Sequence, residues 1–248
     1  MGTPGDNSKR LQLELAELPR KPYACPPEVT GAWEYLKGAH ASVSGLFATL
    51  NLLRDTAAQD SDPRGRLSHQ QTDQLRAAIT FTSAGLDACL RRLLRDALRP
   101  LVDGNASAGK KYRAFGHAQM QTRPGDRFRE AVAGLTPRSE LIDLYVESLT
   151  GSSLQGSGDI KKVRDALGLP TSEIPDSSLD ALDPFFAARN EIAHELDLID
   201  STGRGTSRRR ERAMTPVRDQ CDGVFQHLAT FIHSTATQLK AAEETTQP

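Results

Sequence analysis

Apolar residues along this chain recur at intervals of three, four and seven rather than alternating, and β-branched clusters bounded by turn signals are missing. The pattern predicts an all-α protein. Trp33, Leu36, Val43, Leu46, Leu50 and Leu53 mark a helix over about 30–58, which Pro63 and Gly65 end. Ser68-His69-Gln70-Gln71 has the spacing of a capping box, and behind it Leu75, Ile79, Leu86, Leu90 and Leu94 form one stripe. That stripe predicts a long helix, stopped near Pro100. From 101 to 176 glycine and serine punctuate the text (DGNASAGKK, TGSSLQGSG), leaving room for short helices at about 126–134, 137–149 and 159–167. This stretch reads as an insertion across the end of a bundle.

Asp183-Pro184 pairs an N-cap acid with proline at the first helical position and opens a helix running to about Asp200. Thr215-Pro216 repeats the signal for a last helix, whose stripe of Val217, Cys221, Val224, Leu228 and Phe231 carries it to about 242. The first 28 residues hold five prolines and few apolar anchors, so they read as a loosely held arm. The expected architecture is one up-and-down bundle of about four long helices. A flexible arm at 1–28 precedes a helical domain at 29–243, which carries the insertion at 101–176 and is followed by a tail at 244–248.

Composition removes several function classes. Lys plus Arg total 31 against 32 Asp plus Glu, so any polyanion site must be a local patch rather than a property of the whole chain. Cys25, Cys89 and Cys221 stand in no disulfide or zinc spacing, which fits a reduced cytoplasm. No run of about 18 apolar residues occurs, so a soluble, unexported protein without a membrane partner is expected.

The chemistry concentrates in FFAARNEIAHELDL, residues 185–198. At about 100° per residue, Phe185, Ile192, Leu196 and Ile199 share a core-facing arc, while Asn190, His194, Asp197 and Ser201 fall opposite. Arg189 lies between the arcs, with a stem long enough to bring its guanidinium toward the polar stripe. The same stripe also fits an ordinary solvated helix face. Spacing alone does not decide, because Arg64 and His69 repeat the Arg-x4-His interval across a glycine loop and a helix start, where we read it as a coincidence. Glu191 and His194 form a Glu-x-x-His, but a carboxylate-bridged metal pair needs a second copy and two further glutamates; no other histidine has Glu three positions before it, and HExxH is absent. Neither a metal nor an organic cofactor is expected. His40, His117, His227 and His233 read as helix or loop residues rather than site residues.

Arg-Asn-x-x-x-His in the penultimate helix of a helical bundle resembles the Arg-x4-6-His signature of the HEPN (higher eukaryotes and prokaryotes nucleotide-binding) superfamily. FTSAGLDACLRRLL and SLQGSGDIKKVRDALGL are similar to segments of stand-alone bacterial members of the RiboL-PSP-HEPN type, and the likeness covers roughly residues 30–240. The resemblance implies a HEPN-like bundle and a dimeric, metal-independent endoribonuclease, often a toxin or antiviral effector held by an antitoxin or other regulator. Arg189, Asn190 and His194 take the signature positions. Many members are non-catalytic, so a dimerisation or ligand-sensing module stands beside the enzyme as the alternative.

Metal-free RNA cleavage needs a base to take the 2'-hydroxyl proton and an acid to protonate the leaving 5'-oxygen, with charge building on the phosphoryl oxygens between them. Histidine serves either proton role, and a guanidinium stabilises the charge. One chain supplies one motif histidine, so two-fold pairing would complete the set and leave 2',3'-cyclic phosphate ends. Arg204, Arg208, Arg209, Arg210 and Arg212 follow the motif helix on a polar loop and read either as a clamp on RNA phosphates or as a solvated segment.

Overall fold

Three long helices built on the stripes described above carry the core. The computed structural model describes residues 12–60, 67–154, 156–199 and 208–246. Helix α1 spans Pro27–Asp60, α2 His69–Gly104 and α9 Met214–Thr246. Both α1 and α9 pack along α2, and they also touch each other. Phe47, Leu50, Leu75, Ile79, Leu90, Phe225 and Phe231 are fully buried where they meet. Burying a side chain of this size contributes roughly 1.5–3 kcal/mol. The capping box at Ser68 forms as its spacing predicts: Ser68 Oγ accepts from the Gln71 amide at 3.2 Å, and Gln71 Oε1 accepts from the Ser68 amide at 2.9 Å.

Between α2 and α9 lie α3 (Ala106–Gln121), α4 (Asp126–Ala133), α5 (Pro137–Thr150), α6 (Ser157–Ala166), α7 (Asp176–Asp180) and α8 (Asp183–Glu195). All regular structure among the described residues is helical, apart from one antiparallel bridge between Leu198 and Arg209. No helix there is long and apolar enough to cross a membrane.

Four expectations change. Helix α2 runs through Pro100 to Gly104, because Leu101 and Val102 bury their side chains beyond the proline and reward the extra turn. The DGNASAGKK stretch is a helix start rather than a loop: Asn105 Oδ1 caps α3 by accepting from the amides of Ser107 and Ala108, while its Nδ2 donates to Gln238 of α9 at 2.8 Å. The fourth long helix is short, since α8 ends at Glu195 after 13 residues. The cap of α8 also shifts, with Leu182 at the N-cap and Asp183 inside the first turn.

The arm is seated over its described part. Residues 12–26 form no helix, but Leu13 is 1 % exposed. Asn51 of α1 brackets Leu13, its Oδ1 accepting from the Leu13 amide and its Nδ2 donating to the Leu13 carbonyl, both at 3.0 Å. The Ala16 amide then donates to Asp222 of α9 at 2.8 Å, and the Ala16 carbonyl lies 2.9 Å from His40 Nε2.

Candidate active site

Helix α8 is held to the bundle by its first half, where Phe185, Phe186 and Ala188 are buried. The second half turns outward. Asn190 and Arg189 are half-buried and His194, one turn beyond Asn190, is exposed. Arg189 Nη1 donates to Asn190 Oδ1 at 2.9 Å, so the guanidinium and the amide form one unit. His194 makes no hydrogen bond to another described residue and stands open to a ligand. The three signature residues therefore share the outer end of one helix, and their chemistry is that of a cation, an amide and an accessible imidazole.

The chain beyond His194 departs from the predicted arc. Leu196 (φ 51°) and Asp197 (φ 61°) are both left-handed, and the amides of both donate back to the Glu191 carbonyl. For a leucine that conformation costs roughly 1–2 kcal/mol. The reversal exchanges inside for outside: Leu196 and Ile199, expected in the core, are 66 % and 52 % exposed, while Asp197, expected beside His194, is 0 % exposed. What Asp197 gains is a set of cations. Its Oδ2 accepts from Arg76 Nε at 2.7 Å and from Arg212 Nε at 3.1 Å, and its Oδ1 from Arg212 Nη2. Ser201 lies outside the described residues.

Of the arginines past the motif helix, Arg209, Arg210 and Arg212 are tied down rather than solvated. A short bridge fixes the segment, with Ile199 N donating to Arg208 O at 3.0 Å and Arg210 N to Asp197 O at 2.8 Å. Arg209 pairs with Asp73 at 2.9 Å, Arg210 with Glu191 and Glu195, and Arg212 with Glu191 as well as Asp197. Burial pushes the Arg212 guanidinium down, but hydrogen bonds to Asp197 and Glu191 outweigh it and leave it above its ordinary value. Glu191, the carboxylate of the Glu-x-x-His pair, is thus occupied by Arg210 and Arg212. Arg208 is exposed, with Glu211 3.9 Å away, and Arg204 lies outside the described residues.

This network borders a cavity of about 600 Å³ that sequence reasoning did not anticipate, between the start of α2 and residues 208–214. His69, dismissed as part of a coincidental Arg-x4-His spacing, lines it together with Arg76 and Arg208. Asp87 of α2 pairs with Arg91 at 2.7 Å and accepts from the Leu154 amide at 2.9 Å, pinning the connection between α5 and α6 to α2. The only advance signal for the buried network was the alternation of acids in NEIAHELD with arginines in RRRER, which does not say which pairs form. No protein-family model, no curated protein and no solved structure matches this chain.

Proposed function

We propose that this protein is a metal-independent endoribonuclease of the HEPN type, which cuts cytoplasmic RNA and leaves 2',3'-cyclic phosphate ends. The observation that carries the reading is the grouping at one helix end of Arg189, Asn190 and an exposed His194 that has no partner among the described residues. In this mechanism His194 moves the proton and Arg189, oriented by Asn190, stabilises the phosphoryl charge. The bundle is then a HEPN bundle, and the working unit is a homodimer whose second copy contributes the second histidine. The exposed Leu196 and Ile199 beside His194 suit such a self-contact, because an apolar patch next to a polar site is what an interface buries. A toxin or antiviral effector restrained by an antitoxin fits this activity. The second reading, a non-catalytic dimerisation or ligand-sensing module of the same family, draws on the arginine-lined cavity at the start of α2.

The test is cleavage of a labelled RNA in EDTA, with the new ends analysed for cyclic phosphate. His194→Ala lowers the rate by about a hundred- to ten-thousand-fold while the protein stays folded. A well-folded dimer that leaves RNA intact, or a His194→Ala protein that cuts at the wild-type rate, overturns the ribonuclease. Replacing Leu196 and Ile199 together with Glu gives a monomer by light scattering and loses activity in parallel.

A further inference from the structure

The cavity at the start of α2 has a chemically one-sided wall. Arg76, Arg208, Arg209, Arg210, Arg212 and His69 all line it, against a single acid, Glu211. The carboxylates that fix these arginines, Asp73, Glu191, Glu195 and Asp197, are not part of the lining. They engage some of the guanidinium N–H groups and leave others without a partner among the described residues. An arginine has five N–H donors, and Arg209 spends one on Asp73 among the described residues. The Arg208 side chain is 68 % exposed, and Glu211 at 3.9 Å is beyond hydrogen-bond reach. His69 has no hydrogen-bond partner among the described residues. Ser68 takes the amides of Gln71 and Thr72, so the amides of His69 and Gln70 have no partner among the described residues at the positive end of the 36-residue α2.

We propose that this cavity binds the phosphate groups of a nucleotide, either a link of an RNA chain or a free nucleotide. Guanidinium forks and helix-end amides match phosphate oxygens in geometry and sign. A carboxylate offers two oxygens to this many donors, whereas a phosphate offers more acceptors and a nucleotide also fills the space. About 600 Å³ is a common size for a small-ligand site. The buried Asp197 pairs keep the arginines in place before the ligand arrives, so less ordering is lost on binding. This site is separate from Arg189, Asn190 and His194 and does not depend on RNA being cut.

Two probes test it on the full chain: a short RNA with 2'-O-methyl groups, which cannot be cleaved through its 2'-oxygen, read by fluorescence anisotropy, and ATP, read by calorimetry. Arg208→Gln combined with His69→Gln changes two exposed side chains and leaves the buried ion pairs intact. The double variant binds the recognised probe about tenfold more weakly, with a shallower salt dependence. Loss confined to the RNA identifies the chain as the source of the phosphate, and loss for ATP identifies the free nucleotide. His194→Ala binds as the wild type does. A protein that binds through these residues yet cuts no RNA keeps this site and loses the ribonuclease. One that cuts RNA but binds both probes unchanged in the double variant loses this site alone. Wild-type binding of both probes weaker than about 1 mM, or polyglutamate competing as well as RNA, also overturns the proposal.

Discussion

At the scale of single residues, Asp197 and His194 stand three positions apart and carry opposite burdens. Asp197 is a buried carboxylate shared by two arginines, so Asp197→Ala removes that partner while Arg76 keeps Asp73 and Arg212 keeps Glu191, and it destabilises the fold by about 1–3 kcal/mol. His194→Ala removes an exposed side chain with no described partner and changes stability by less than about 0.5 kcal/mol. Urea unfolding of the two variants checks the contrast, and equal losses would mean that His194 has a structural role. Sequence placed both residues on one wet stripe because a helical wheel assumes the helix continues. Two left-handed residues in a row break that assumption, and neither is the glycine that usually announces such a turn. The cysteines differ in the same way. Burial pushes the Cys89 and Cys221 thiols up to about 12, whereas Cys25 is only half-buried. Iodoacetamide at neutral pH therefore labels Cys25 in the native protein, and all three in denaturant, as mass spectrometry will show.

At the scale of elements, periodicity located the long helices well because their stripes are buried along their length. The ends were harder to read. Pro100 predicts a stop, but burial of the next two residues outweighs one missing hydrogen bond, and α3 hides behind small polar residues whose role is capping. Helix contacts give two substitutions of opposite sign. A Cβ on Gly85 of α2 would stand 2.3 Å from the Ala39 Cβ of α1, which has no flexible end to move aside. Gly85→Ala therefore forces the two helices apart at a cost of about 1–3 kcal/mol. Gly45 of α1 has nothing within 4 Å, so Gly45→Ala gains about 0.5–1 kcal/mol from backbone entropy. Melting curves of the pair decide the matter, and a stabilised Gly85→Ala would show that α1 and α2 are not so closely packed.

For the whole molecule, the all-helical class and the order of the main helices were legible in the sequence, but the seating of residues 12–26 was not. An extended, proline-rich segment has no period to read, and its anchors lie far away in the chain: Asn51 for Leu13 and Asp222 for Ala16. Asp222 supplies a pH signature. Burial pushes its carboxyl up, more than the Ala16 amide, Arg218 and His40 pull it down, so its folded value lies above the unfolded one. Such a group favours the fold below the ordinary carboxylate range, and that contribution is lost as pH rises through the folded value. Asp222→Asn, which can still accept from the Ala16 amide, therefore melts higher than the wild type at pH 7 and loses this advantage near pH 3. An advantage that grows on acidification would contradict the assignment. The same clasp bears on how the protein is born. Asp222 is translated 206 residues after Ala16, so residues 12–16 leave the ribosome long before their dock on α9 exists. Until α9 emerges, the Asn51 bracket holds Leu13 without the Asp222 anchor, so residues 12–26 take their final seat only after α9 has been made.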